Sequence, residues 1–210
     1  MKSLSSQLIE LLSSEFPVAL PTRNILLFSP PHHFAHGLLL ERTSYSRSFY
    51  VWELIVPLFN PMKSLSLNYS HRISISKDNR FLLSVQKGGE KVASANISDA
   101  FRAQSDKKII DNSDLQGFLR KFPMQASPKR QNVVLDYAVA YCLVGDVGHA
   151  MKLFKSLQTS ILQDDFSKNI SRQASIYIDC IISHGESALL GILKINELDN
   201  IGRHFPELQY

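Results

Sequence analysis

The sequence predicts an α+β fold, in which an N-terminal helix and an antiparallel sheet of four or five strands precede a C-terminal bundle of about four helices. Short β-branched and aromatic runs cut by turn residues lie between residues 25 and 75, as is typical of an antiparallel meander. Longer segments with helical periodicity follow residue 110. Residues 123–130 contain two prolines and read as a linker, which predicts a sheet domain over 1–122 and a helical domain over 131–210.

The first 30 residues predict a helix and then a strand. Leucines recur at helical spacing over residues 3–15, which indicates an amphipathic helix with Ser3 as its N-cap. Pro17 follows the helix and ends it. The apolar run over 25–28 is a predicted strand, stopped by Pro30.

Residues 34–42 and 48–56 are predicted to pair as an antiparallel hairpin. Their connection lacks an Asn-Gly or Asp-Gly pair, so we expect a turn longer than two residues. Both faces of the second strand are apolar, which predicts a central strand and a core position for Trp52. Further strands are predicted over 65–69 and 81–85.

Between the sheet and the bundle, two short helices are predicted. A weak helix covers residues 91–104, and the polar stretch over 105–112 is a predicted loop. Ser113 with Gln116 three residues later matches a capping box, so a short helix should begin there and run through Phe122.

Four helices are predicted in the C-terminal part, because apolar side chains recur there at helical spacing. Gly145 and Gly185 mark the breaks between them. The first helix has one face made of Val134, Tyr137, Ala138 and Tyr141, and the third has a helical stripe made of Ala174, Tyr177, Ile178, Ile181 and Ile182. The predicted ranges are 131–144, 147–162, 167–183 and 187–203.

One segment of the bundle carries a family resemblance. Residues 137–154 read YAVAYCLVGDVGHAMKLF, which resembles a tetratricopeptide helical hairpin. In that family a glycine near the turn and an alanine in the second helix let the helices approach closely, and Gly145, Ala150 and Phe154 match those positions. No second copy follows at a 34-residue period. The resemblance implies a local αα-hairpin with a concave interaction surface.

The cysteines and the apolar segments of the sequence indicate the cellular compartment of the protein. The two cysteines, Cys142 and Cys180, lie in predicted helices and are too few for a disulfide framework, so we expect them to be reduced and buried. The N-terminus lacks a secretory apolar core, and no window reaches the ~18 apolar residues of a membrane span. These features predict a soluble, cytoplasmic protein without a membrane partner.

Charge is unevenly distributed along the chain. Residues 61–130 hold 13 basic and 6 acidic side chains, whereas residues 131–210 hold 6 basic and 9 acidic ones. A basic middle and a slightly acidic tail allow either attraction between the two segments or the binding of an anionic partner. The loop residues predicted to bind that partner are Lys107, Lys108, Lys129 and Arg130.

The histidine cluster is the one candidate for a metal site. His32, His33 and His36 lie within five residues, and on a helix His32 and His36 would stand one turn apart, a spacing that zinc enzymes use. Pro30 and Pro31 disfavour a helix at this point, so a polar loop that enters a strand is the favoured interpretation.

Carboxylates and arginines on the hairpin are a second candidate group. Glu41 and Arg42, with Arg47 and Glu53 across the hairpin, could form an acid–base group, although cross-strand pairing that stabilises the hairpin is the simpler explanation. The sequence contains no Gly-x-Ser-x-Gly elbow, dinucleotide fingerprint or phosphate-binding loop. No catalytic, cofactor-binding or metal-binding residue is therefore predicted.

The favoured function is that of a non-catalytic interaction protein, such as an adaptor, an inhibitor or an immunity-type partner of a toxin. Two alternatives remain open: a nucleic-acid-binding accessory protein, which the basic middle would serve, and a metal-dependent hydrolase that uses the His32/His36 region.

Overall fold

A computed structural model describes residues 2–16, 18–75, 81–104, 114–122, 130–159 and 164–208. Over these residues the chain has the predicted α+β fold. The described residues divide into two compact units. The first lies within Met1–Val56, Ser64–Ser113 and Phe205–Tyr210, and the second within Pro57–Lys63 and Asp114–His204.

The predicted linker over 123–130 lies outside the described residues except for Arg130. The predicted division into domains over 1–122 and 131–210 therefore stays a prediction.

The first unit is built on one antiparallel sheet, which has six strands in the described part of the chain. Five strands lie side by side in the order β1-β2-β3-β4-β5, and β6 pairs with another stretch of β4. The strands are Leu20–Pro21 (β1), Ile25–Leu27 (β2), Phe34–Arg42 (β3), Ser48–Pro57 (β4), His71–Arg72 (β5) and Leu82–Ser84 (β6).

The described helices follow the predicted order. Two belong to the first unit and five to the second. They are Leu4–Glu15 (α1), Glu90–Gln104 (α2), Leu115–Lys121 (α3), Gln131–Leu143 (α4), Val147–Gln158 (α5), Asp165–His184 (α6) and Glu186–His204 (α7), with a short 3-10 turn at Pro206–Leu208.

One face of the sheet is covered by α1 and α2, and the core of the first unit lies between these two helices and the sheet. The predicted cap of α1 is confirmed, since Ser3 Oγ accepts a hydrogen bond from Ser6 N at 3.2 Å. Of the leucines at helical spacing, Leu8 and Leu12 are buried together with Ile9, whereas Leu4 and Leu11 are partly exposed. Phe101 of α2 packs against the same face, so both helices contribute to one core.

The predicted hairpin is confirmed in its bounds and in its long turn. Strands β3 and β4 pair across the five residues 43–47, and Thr43 N donates to Ser48 O at 3.1 Å. Arg47 has a φ of 54°, an uncommon backbone conformation for a residue with a side chain. Its guanidinium bonds to Val85 O and to Glu90, which holds this residue in place.

The predicted strand over 65–69 is wrong, because the edge strand lies later in the chain, at His71–Arg72. Ser70 accounts for the difference: its Oγ accepts a hydrogen bond from Ile55 N at 3.0 Å, so a side chain replaces the backbone partner of β4 there. Ser70 N donates to Leu67 O at 3.1 Å, which turns the chain before β5 begins.

In the second unit, α4 is more deeply buried than its predicted stripe implies. On the predicted face Tyr137 and Ala138 are buried, whereas Val134 and Tyr141 are half-buried. Val133 and Val139, outside that face, are buried as well. The reason is that α4 contacts α3, α5, α6 and α7, so it is covered from several sides. In α6, Ile182 is 70% exposed and does not join the buried stripe predicted for it.

The αα-hairpin that the tetratricopeptide resemblance implies is present as α4 and α5. Ala150 and Phe154 are fully buried. Gly145 serves a different purpose from close packing, since a Cβ added there would meet nothing within 4 Å, whereas its φ of +83° favours glycine. Gly185, between α6 and α7, has a similar φ of +81° and ends α6 in the same way.

Aspartates cap three helices of the second unit, at Asp114, Asp146 and Asp164. The cap of α3 is therefore Asp114, one residue after the predicted Ser113, which lies outside the described residues. Each of the three carboxylates accepts a hydrogen bond from the amide three residues later, which satisfies a donor that the helix itself leaves unpaired.

Residues 57–63 continue from β4 and are part of the second unit, where asparagines bind their backbone. Asn200 Nδ2 donates to Leu58 O at 2.6 Å and to Asn60 O at 2.8 Å. Asn196, one turn earlier on α7, donates to Phe59 O at 3.1 Å. Buried carbonyls need such donors because the segment has no strand partner here. The asparagines of α7 therefore replace a sheet neighbour.

The side chain of Asn60 is held as closely as its backbone. Its Nδ2 donates to Asp136 Oδ1 at 2.8 Å, and its Oδ1 accepts from the hydroxyl of Tyr177 at 3.2 Å. Burial raises the pKa of the Tyr177 hydroxyl, so this group remains a donor at neutral pH.

Replacing Asn200 with alanine should lower the free energy of unfolding by about 2–3 kcal/mol, because two buried carbonyls lose their donor. Urea denaturation followed by circular dichroism measures this change. Asn169→Ala, at an exposed position of α6, is the matched control and should change stability by less than about 0.5 kcal/mol. Equal losses in the two variants would contradict the bracing role of Asn200.

The Asp164 cap predicts an acid dependence of stability. Hydrogen bonds from the Ser167 hydroxyl and then from its amide lower the pKa of Asp164. A carboxyl with a lowered folded-state pKa stabilises the fold above its unfolded value of about 3.9, and this contribution is lost as the pH falls through the folded pKa. Asn caps helices similarly but does not titrate. Asp164→Asn should therefore melt below wild type at pH 6 and approach it near pH 2.5; a constant gap would refute this.

Candidate partner-binding site on the central strands

The two residues of β5 lie opposite two residues of the central strand β4. His71 pairs with Glu53, and Arg72 pairs with Trp52. Successive side chains of a strand point to opposite faces of the sheet, so His71 and Arg72 belong to different groups. We call them the imidazole–carboxylate row (His36, Glu53, His71) and the aromatic–arginine cluster (Glu41, Tyr50, Trp52, Arg72).

The imidazole–carboxylate row crosses three strands on the face that α1 and α2 cover. His36 Nε2 lies 3.0 Å from Glu53 Oε1, and His71 Nε2 lies 3.3 Å from Glu53 Oε2. His36 and Glu53 are buried, whereas the side chain of His71 is 51% exposed. A buried carboxylate is costly unless it is paired, and each of its oxygens has an imidazole nitrogen beside it.

The row does not have the arrangement of a metal site. His36 and His71 contact different oxygens of one carboxylate, and among the described residues His36 belongs to no group of three potential ligands within 4.8 Å. His36 lies inside β3 and is fully buried, with its ring 5.1 Å from that of Phe28. His32 and His33 precede the strand, and their rings pack on one another at 4.1 Å. The chain at the histidine cluster is thus a loop that enters a strand at Phe34, as the favoured interpretation expects.

The aromatic–arginine cluster lies on the opposite face of the same strands. The Arg72 guanidinium stands 3.9 Å from the centre of the Tyr50 ring and 4.7 Å from that of Trp52. Trp52 Nε1 donates to Glu41 Oε2 at 2.7 Å, and Arg72 Nη2 lies 3.9 Å from the same oxygen. The side chains of Arg72 and Glu41 are 39% and 45% exposed. The four side chains therefore form one ordered patch that solvent reaches.

The prediction that Trp52 is a core residue is wrong. Its side chain is half-buried, and its indole N–H is bonded to a carboxylate at the surface. Both faces of β4 are apolar in sequence, so the pattern does not reveal that α1 and α2 cover the face of Phe49 and Val51. Trp52 lies on the other face, where Glu41 satisfies its N–H.

The predicted acid–base group on the hairpin is divided among three separate places. Glu41 belongs to the aromatic–arginine cluster, Glu53 to the row, and Arg47 pairs with Glu90 of α2. The sequence signal for the real groups is weak. A Tyr-x-Trp pair on a strand places two aromatic rings on one face, but their arginine comes from a two-residue strand that the sequence did not predict.

Of the residues predicted to bind a partner, Arg130 alone lies in the described part of the chain. It is exposed and directly precedes α4. Lys107, Lys108 and Lys129 lie outside the described residues. A binding role for these four residues stays a prediction.

The cysteines have the environment of structural residues. Cys142 and Cys180 are free and buried, as expected. Burial, and to a smaller extent the charge of Glu186, raises the pKa of the Cys142 thiol to about 12. Because the thiolate is the nucleophilic form, such a thiol is inert near neutral pH.

None of the helices in the described part of the chain is long and apolar enough to cross a membrane. Comparison of the chain with protein-family models, with curated proteins and with solved structures finds no match.

Cys142 should resist iodoacetamide in the folded protein at pH 8, because burial raises the pKa of its thiol and keeps it protonated there. In urea the same thiol should react readily. Mass spectrometry of the peptide that contains Cys142 measures both rates, and the unfolded protein is the control. Alkylation of the folded protein at the unfolded rate would show that this thiol is accessible and ionised.

Proposed function

We propose that the protein is a non-catalytic interaction module, of the adaptor, inhibitor or immunity type, that binds another protein through the aromatic–arginine cluster. The observation behind this proposal is that Tyr50, Trp52 and Arg72 lie side by side in a partly exposed patch. Tryptophan, tyrosine and arginine are the residue types that most often supply the binding energy of protein interfaces.

The patch is ordered before any partner arrives. Glu41 fixes the indole of Trp52 by a hydrogen bond, and Arg72 stacks over both rings. All four side chains project from paired strands rather than from a loop. Binding therefore costs little side-chain entropy, which favours affinity.

The charges of the patch indicate the chemistry of its partner. Arg72 offers donors to a carboxylate or a carbonyl, and the two rings offer apolar area. Glu41 places a negative charge beside Arg72, which disfavours a phosphate backbone at this position. We therefore favour a protein surface with an apolar anchor next to an acceptor over a nucleic acid.

The hydrolase alternative has less support, because His36 is fully buried and its Nε2 is taken up by Glu53. The proposal includes the predicted reducing, cytoplasmic compartment, which agrees with two buried, unpaired thiols.

The proposal is tested by comparing three immobilised proteins in a native lysate: wild type, Arg72→Ala and Arg42→Ala. Arg42 is exposed at the end of β3, outside the cluster, and serves as the matched control. A partner of the cluster should be retained by wild type and Arg42→Ala and lost by Arg72→Ala, with an affinity about 10-fold or more weaker.

Two outcomes would overturn the proposal. If Arg72→Ala retains the same proteins as wild type, the cluster is not the binding site. If the retained material is lost after nuclease treatment and falls steeply with salt, the chain binds nucleic acid instead.

A further inference from the structure

We propose that the aromatic–arginine cluster is regulated by protonation of the imidazole–carboxylate row on the other face of the sheet. The coupling itself is a property of the fold, and only its effect on a partner rests on the proposed function. The strand β5 connects the two groups, because His71 belongs to the imidazole–carboxylate row and the next residue, Arg72, belongs to the aromatic–arginine cluster.

The short strand β5 pairs with β4 through its backbone, and further hydrogen bonds hold the residues on either side of it. Ser70 Oγ bonds to Ile55 N on one side of it, and Ile73 N donates to Val51 O at 2.8 Å on the other. Between those points, His71 contacts Glu53 and Arg72 contacts the rings of the cluster. A change in the contact between His71 and Glu53 therefore acts directly on the backbone that positions Arg72.

Histidine is the side chain whose charge ordinarily changes between pH 5 and 8. The side chain of His71 is 51% exposed, so water reaches its imidazole without opening of the core. A charged His71 beside the buried Glu53 carboxylate forms an ion pair that is stronger than one in water. A neutral His71 leaves only a weaker polar contact, so the side chain then adds less to the backbone pairing of β5 with β4.

Of the two imidazoles that contact Glu53, the imidazole of His71 is the one that reaches solvent. His36 faces Glu53 from β3 and is fully buried. The charged side chains of α1 and α2, which cover this face, are all at least partly exposed. Three of these side chains form ion pairs outside the row: Glu10 with Lys2, Glu15 with Arg102, and Glu90 with Arg47.

The chain carries its own reporter for this coupling. Trp52 is the single tryptophan of the sequence, and its ring is in contact with both Arg72 and Glu41. Its fluorescence therefore reads the state of the cluster without a partner. A change in the position or order of Arg72 alters the charge beside the indole, and hence its emission.

The test is a titration of Trp52 emission from pH 8 to pH 5.5, above the range in which an ordinary carboxyl changes charge. We expect wild type to change its emission wavelength or intensity in this range, and His71→Gln, which cannot take up the proton, to remain flat. His149→Gln is the control, because His149 is 61% exposed and lies in α5 of the second unit; it should behave as wild type. Circular dichroism at both pH values confirms that each variant is folded.

A flat wild-type titration, or an equal response in wild type and His71→Gln, would overturn the coupling. His71→Asn, a second neutral replacement, guards against a local distortion caused by glutamine and should also be flat.

The binding consequence is measured on the partner found with the Arg72 and Arg42 variants. Its affinity for wild type should differ about 5-fold or more between pH 8 and 5.5, and this difference should vanish in His71→Gln. If the emission of wild type depends on pH but Arg72→Ala still retains the partner, the proposed function is contradicted and the coupling is supported. If Arg72→Ala loses the partner but the emission of wild type does not change with pH, the proposed function is supported and the coupling is contradicted.

Discussion

The buried carboxylate of Glu53 is the constraint on which the arrangement of the candidate site depends. A charge at the centre of a sheet, covered by two helices, must be paired, and its two oxygens face imidazoles from the strands on either side. This requirement aligns β3, β4 and β5 at one level. It also places His71 on the covered face, which puts Arg72 on the other.

The side chains on the two faces of the central strands thus have different environments. One face buries the apolar core together with the row, and the other carries an ordered patch that water reaches. Trp52 illustrates the division: an indole in the core would need a buried acceptor, whereas Glu41 supplies one at the surface. The residue that looks most like core in the sequence is therefore the centre of the candidate binding surface.

The second unit uses polar side chains for a different purpose. Asn196 and Asn200 of α7 bind the backbone of residues 57–63, and Asn60 is bound in turn by Asp136 and Tyr177. These hydrogen bonds favour one position for an irregular segment, because a shift would leave buried carbonyls without donors. An irregular stretch of chain is thereby held as firmly as a strand would be.

Local signals in the sequence determined α1 with its Ser3 cap, the hairpin of β3 and β4 and the four helices of the bundle, because caps, turn residues and periodicity act over a few neighbours. Tertiary structure alone decided which face of β4 is covered, since both faces are apolar. It also decided the site, because His71 and Arg72 reach β4 through a two-residue strand with no propensity of its own. Their partners are distant in sequence, and only the pairing of strands brings them together.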